Sequence, residues 1–256
     1  KSPKKSDTMI RSISSVCLSI LLSAICAYPI DYIVEGQISG ADGQVLYIYD
    51  YDKKINIDST SVSDGKFCFK GTYDRPAFVR VEGNRYYSNC VLDTLAVLDF
   101  DTHFPSSGSI LNEKLIELRA KDKAIDDELD RFSHELKSHG FKQPELGDIY
   151  KRLYDRLRPG RIELYSKAII ENPNGVGESA MLSLGGMWGL TPEEWESAYT
   201  RMPAYLKELS TADYFNNLYI GLRNSQPGKS FIDFGAKTLD GKDVMLSDYA
   251  GKGKYV

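Results

Sequence analysis

The sequence contains no cysteine pair spaced as CxxC; its four cysteines, Cys17, Cys26, Cys68 and Cys90, are scattered. Its three histidines, His103, His134 and His139, fall at no ligand spacing with one another or with a cysteine. These absences exclude a zinc-finger type of metal site and a complete thiol-disulfide motif within the chain. There is no basic stripe either. Acidic and basic residues are interspersed and the net charge is −4, which sets nucleic acid aside as a partner. Nor is there an uninterrupted apolar run of the ~20 residues that a membrane-spanning helix needs.

What is present describes a globular chain. Of 256 residues, 42% are hydrophobic and 27% charged, enough apolar material for one large or two ordinary domains. From Met9 the chain reads MIRSISSVCLSILLSAICAYP: a basic start, an apolar segment from Ile13 to Cys26 broken by four serines, and small residues at its end. That order is a secretory signal peptide, and an uncleaved anchor or buried helix is the alternative. Cleavage near Ala24-Ile25-Cys26-Ala27 leaves a mature chain from about Tyr28 and places it in the periplasm or cell envelope. A lipoprotein anchored through Cys26 would carry Gly or Ala where Ile25 stands. Because the first residue is Lys1, residues 1–8 read as upstream translation or as the mark of a fragment.

Between Ile30 and Asp101, seven short runs rich in β-branched and aromatic residues alternate with turns at Gly40-Ala41-Asp42-Gly43, Ser63-Asp64-Gly65 and Gly83-Asn84. Their spacing predicts antiparallel hairpins in a sandwich or barrel of six or seven strands over residues 28–104. Cys68 and Cys90 fall on separate strands. In an oxidising compartment they can pair, but two small buried apolar side chains is the favoured reading. Tyr47, Tyr49, Tyr51, Tyr86 and Tyr87 either pack across strands, the favoured reading, or leave an outward aromatic surface suited to binding.

Past Pro105-Ser106-Ser107-Gly108 the period changes to that of helices, over residues 108–225. Leu111, Leu115, Leu118, Ile125, Leu129, Phe132 and Leu136 mark one stripe of a long helix. A second pattern from Leu146 to Ile169 carries Pro159-Gly160, which predicts a kink or interruption. Asn172-Pro173-Asn174-Gly175 stops it, and a shorter helix follows around residues 179–186. Thr191-Pro192-Glu193-Glu194 is a capping box opening a helix near 192–201, with further helices near 203–209 and 212–224. The acidic run Asp126-Asp127-Glu128 with Asp130 lacks calcium-loop spacing and reads as a solvated helix face. Strand patterning returns over residues 227–256. There Asp240-Gly241 predicts a two-residue hairpin turn, with Ser247 capping a short helical turn.

The ordered run Gly228-Lys229-Ser230-Phe231-Ile232-Asp233-Phe234, Leu239-Asp240-Gly241-Lys242, Leu246-Ser247-Asp248-Tyr249 and Gly251-Lys252 resembles the opening of the TlpA/ResA-like and AhpC/TSA thioredoxin-fold family. Ile232 and Tyr249 stand where that family usually has Ala or Pro and Leu. The helices after Asn172-Pro173-Asn174-Gly175 resemble the region preceding such domains in Gram-negative envelope proteins. The β segment, with Asp58-Ser59, Asp64-Gly65-Lys66-Phe67-Cys68-Phe69 and Gly71, is similar to a domain of unknown function in the same proteins.

The resemblance implies an α+β chain ending inside the start of a thioredoxin-like domain. It implies a parent that is a periplasmic thiol-disulfide oxidoreductase or thiol-dependent antioxidant protein. The CxxC or peroxidatic cysteine would follow within roughly ten residues of Val256. Catalytic, cofactor-binding and metal residues are therefore each assigned as none, and no cofactor is expected. Partners would be protein thiols and disulfides or a redox protein, with membrane contact only through the signal segment or a lipid anchor. The alternative is an envelope binding module without redox chemistry.

Overall fold

The computed structural model describes residues 29–249 apart from positions 143, 173, 231 and 232. The signal-peptide and lipidation readings, with Cys17 and Cys26, lie outside the described residues. So does the Gly251-Lys252 motif.

The architecture is α+β. Eight strands among the described residues of the N-terminal part form two four-stranded sheets, and helices cover the outer face of one of them. The strands are β1 Ile30–Gln37, β2 Val45–Asp50, β3 Ile55–Ser61, β4 Lys66–Tyr73, β5 Ala77–Gly83, β6 Tyr86–Leu92, β7 Ala96–Asp99 and β8 Phe104–Gly108. One sheet has the order β4-β1-β7-β8 and the other β3-β2-β5-β6.

The seven apolar runs form β1 to β7. The eighth strand is the Pro-Ser-Ser-Gly run that marks the change of period, which pairs antiparallel with β7 at the sheet edge, where Pro is tolerated. The expectation of antiparallel pairing alone needs one correction: β1 and β7 run parallel, Val34 opposite Ala96 and Gly36 opposite Leu98.

Alternation places Tyr32, Val34, Phe67, Phe69 and Leu98 of the first sheet against Leu46, Ile48, Val79, Val81 and Leu92 of the second. Two glycines of the first sheet sit opposite aromatic rings. Tyr32 faces Gly71 and Gly36 faces Phe67 across the β1–β4 ladder. A Cβ on Gly71 would lie 2.5 Å from the Tyr32 oxygen, and one on Gly36 would lie 2.8 Å from the Phe67 ring. Each glycine leaves the space its cross-strand aromatic fills.

The helices are α1 Ile110–Ser138, α2 Glu145–Glu171, α3 Gly175–Gly185, α4 Pro192–Arg201, α5 Ala204–Lys207 and α6 Ser210–Asn224. Leu115, Leu118 and Leu129 of the α1 stripe are buried, as are Leu146, Leu153, Tyr165 and Ile169 of α2. Helix α2 runs unbroken through Pro159, so the expected interruption is absent. The residues on either side of the proline are held from outside the helix. Arg158 grips Glu194 at 2.6 and 2.9 Å, and the Arg161 Nε lies 2.9 Å from Asp122 on α1. Tertiary contacts thus offset the backbone bond that proline removes.

Helix α3 begins at Gly175, four residues before the expected start, and is buried nearly all round, the mark of a central helix. Gly175 is required there. A Cβ on it would come within 2.5 Å of the Val91 side chain, so glycine lets the helix press directly on the second sheet. Phe78 and Val91, on that sheet's outer face, join Val176, Ala180, Met181, Leu184, Trp195 and Leu206 in a core separate from the one between the sheets.

The acidic run lies on α1 as a charged face. Asp126 pairs with Arg161, Asp127 with Lys123 and Glu128 with Arg156. Helix α4 opens with the expected capping box: Thr191 Oγ accepts the Glu194 N–H at 3.3 Å, and Glu194 accepts the Thr191 N–H at 2.9 Å. Helix α6 starts two residues earlier than its apolar pattern suggested.

Beyond the helices, β9 Gly235–Lys237 and β10 Asp243–Met245 form the expected hairpin. Its turn is longer than two residues. The Gly241 N–H closes on the Thr238 carbonyl, Gly241 takes φ +82°, and Thr238 also pairs with Lys242. The short helical turn is 3₁₀, over Leu246–Asp248. It is closed by the Asp248 carboxylate on the Met245 N–H at 2.8 Å rather than by Ser247, whose own N–H donates to Asp233.

Candidate functional site

Three polar side chains fix the helical layer to the second sheet. Asn112, fully buried on α1, accepts the Val91 N–H at 3.0 Å and donates to the carbonyls of Val91 and Leu95, each at 2.9 Å. β6 is an edge strand, and the carboxamide supplies the partners another strand would have given. Glu178 on α3 accepts the Phe78 N–H at 2.7 Å, one residue beyond the point where β2 ends opposite Val79. Its other oxygen receives Arg75 at 2.5 Å and the Tyr205 hydroxyl.

Asp52, in the turn after β2, accepts the Ser210 N–H at 2.7 Å, capping α6 from the β domain, and lies 3.3 Å from Arg75. Glu178 is only 6% exposed in its side chain and Arg75 15%. Burial pushes the Glu178 carboxyl above its ordinary range, against the opposing pull of Arg75 and of its hydrogen bonds. This cluster is a joint. Every acceptor in it is already met by a strand, a helix end or a partner side chain, which leaves nothing aimed at a ligand.

Away from the joint, the outer face of the second sheet is aromatic. Tyr51 stacks on Phe78 with centroids 5.4 Å apart and donates its hydroxyl to Asn89 at 2.7 Å. Tyr49 meets Tyr51 edge-on, whereas Tyr86 lies on the inner side, where it packs against Phe100 beside the core between the sheets. Tyr87 lies parallel to His103 at 4.1 Å and carries the Arg80 guanidinium 4.7 Å from its ring centre, with Arg80 paired to Glu82 at 2.9 Å. Tyr47 and Tyr87 remain 40% and 37% exposed. Cross-strand and stacking contacts therefore account for most of the tyrosines. Tyr47 and Tyr87 still present an aromatic surface flanked by one cation and one carboxylate.

Two depressions border the sheets. An open one of about 890 Å³ covers the outer face of the first sheet, where Glu35, Lys66, Asp99 and Cys68 are mixed in sign and character. A smaller one of about 320 Å³ lies between the second sheet and the helices, lined by Tyr49, Tyr51, Lys54, Leu182, Thr211, Tyr214 and Phe215. Tyr49 and Tyr51 of this cleft were legible in the sequence as part of an aromatic cluster. Its helical wall was not, because no local signal brings residue 52 to residue 210.

Both described cysteines are free, Cys68 exposed and Cys90 buried. Cys90 sits in the core between the sheets, and burial pushes its thiol up to about 12, which makes it an inert apolar group. Cys68 is on the solvent side of β4, so the reading of two buried thiols holds for Cys90 and is corrected for Cys68. His134 and His139 lie exposed at the end of α1, and His103 is stacked on Tyr87. Among the described residues no group of three or more His, Cys, Asp or Glu is placed to hold a metal ion. No helix among them is long and apolar enough to cross a membrane.

No match is found among curated proteins or among solved structures. Residues 32–97, the strands from β1 into β7, match the model of a domain of unknown function, DUF4369.

Proposed function

We propose that this chain is the N-terminal part of an exported thiol-disulfide oxidoreductase or thiol-dependent antioxidant protein of the periplasm or cell envelope. In this reading the β domain and its helical layer form a non-catalytic module, and residues 228–252 open a thioredoxin-like domain that carries the reactive cysteines beyond this chain. The observation that carries it is the order of motifs from Gly228 to Lys252 following a DUF4369-matched β domain and its helical layer. The hairpin adds support. Phe234, Leu239, Met245 and Tyr249 are exposed on it, apolar side chains of the kind a following sheet would cover. The state of the described thiols is consistent with it as well: Cys90 is buried and protonated, and Cys68 stands on a strand far in sequence from any helix start.

The test is to read the frame past Val256 and assay the longer polypeptide. A CxxC supports disulfide exchange and a single cysteine in the peroxidase position supports a peroxiredoxin, whereas no cysteine within that domain refutes both. Without them, the exposed Tyr47 and Tyr87 favour the second reading, an envelope binding module.

A further inference from the structure

We infer that the cleft between the second sheet and α6 is a binding site for an aromatic carboxylate, a ring with one anionic head. Its volume of about 320 Å³ is at the lower end of the range for small-ligand pockets, and it lies at the junction of two structural layers, where such pockets concentrate. The floor is rigid. Tyr51 is fixed by its stack on Phe78 and by its hydroxyl bond to Asn89, while Tyr49 meets it edge-on. On the helical side Tyr214, 61% exposed, stands edge-to-face with Phe215 at 5.2 Å. A flat apolar group entering here finds aromatic side chains on both walls.

The charge selection comes from Lys54. Its backbone is held at φ +56°, with its N–H donated to the Asp50 carbonyl at 2.9 Å, which sets the side chain on the cleft wall. The nearby carboxylates are occupied elsewhere. Asp50 accepts the N–H groups of Asp52 and Lys53 and the Tyr73 hydroxyl, and Asp52 is taken by Ser210 and Arg75. Lys53 is paired with Asp74 at 2.8 Å, whereas Lys54 forms no salt bridge among the described residues. The cleft thus combines aromatic walls with one unneutralised ammonium and the Thr211 hydroxyl. The larger depression over the first sheet offers charges of both signs and no such selection. This site stands independently of the reading of residues 228–252.

Calorimetric titration of the 256-residue chain with 3-phenylpropanoate and with its neutral amide, 3-phenylpropanamide, tests it. The acid is expected to bind saturably, and the amide roughly twofold to fivefold more weakly, the scale of a solvent-exposed ion pair. Lys54→Gln is expected to bring the acid down to the amide's affinity and to leave the amide unchanged. Tyr214→Ala should weaken both. A free acid and a peptide ending in phenylalanine share this chemistry, and the peptide Gly-Gly-Gly-Phe with a free terminus separates them. Tighter binding of the peptide than of the acid assigns a chain terminus; equal or weaker binding of the peptide assigns the free acid. No saturable binding of the acid, equal binding of acid and amide, or an unchanged affinity in Lys54→Gln would each overturn the site.

Discussion

The carboxylate of Glu178, on a helix, accepts the backbone N–H of Phe78, on a strand, at 2.7 Å, and so completes hydrogen bonding that the sheet itself leaves open. Since its second oxygen holds Arg75 and Tyr205, one buried side chain joins the two layers of the molecule. Glu178→Ala would leave the Arg75 guanidinium and the Phe78 N–H without their main partner, at a cost of about 3–5 kcal/mol. Glu178→Gln keeps a neutral acceptor and should lose less, about 1–3 kcal/mol. Urea unfolding of both variants measures this, and equal losses would show that a neutral acceptor does not serve the joint and that it depends on the charge.

Asn112 plays the matching part at the edge of β6. Replacing it with Ala leaves the buried Val91 N–H and the carbonyls of Val91 and Leu95 unmet, an expected loss of about 2–4 kcal/mol. Hydrogen exchange at the Val91 amide is the local readout. Protection that survives the substitution would mean another group pairs the strand edge.

Gly175 sets how closely α3 approaches the sheet. Gly175→Ala drives a methyl group into Val91 and should destabilise by about 1–3 kcal/mol, with the shift seen in the methyl resonances of Val91. Unchanged stability would place the helix further from the sheet than described.

Glu194 gives the stability a pH dependence of known sign. Burial works to raise its carboxyl, but the Arg158 fork and the Thr191 N–H outweigh it and hold the group below the usual carboxylate range. A carboxylate with a lowered folded-state pKa contributes stability that is fully present above its unfolded value of about 4.3 and is lost as pH falls through the folded value. Glu194→Gln should therefore flatten the acid limb of the stability curve. An identical acid limb in the variant would assign it to other carboxylates.

The two thiols should separate chemically. With iodoacetamide, followed by peptide mass spectrometry, Cys68 is expected to be alkylated in the folded protein and Cys90 only after denaturation. Comparable labelling of Cys90 in the native state would place it outside the core.

Much of the scaffold was legible from local pattern. Strict alternation in β1, β2 and β4 and the capping box at Thr191 and Glu194 carry their own geometry. The failures share a cause. Alternation tells which face a strand buries but not which strand lies beside it, so the parallel β1–β7 pair was invisible. β8 was missed because its strand state comes from pairing with β7 and its Pro-Ser-Ser composition argues against it. Continuity of α2 through Pro159 rests on Arg158 and Arg161 reaching Glu194 and Asp122, contacts no window of sequence contains. The cleft was half legible, since Tyr49 and Tyr51 stand within three residues of chain while Thr211 and Tyr214 arrive only through the Asp52–Ser210 bond.

The most direct measurement is insulin reduction and thiol-dependent peroxide consumption by the polypeptide read past Val256, run beside the 256-residue polypeptide. Turnover by the longer protein and none by the 256 residues is the expected result. Turnover by the 256-residue chain alone, or no thiol chemistry in a longer protein that lacks a cysteine after Val256, would contradict it.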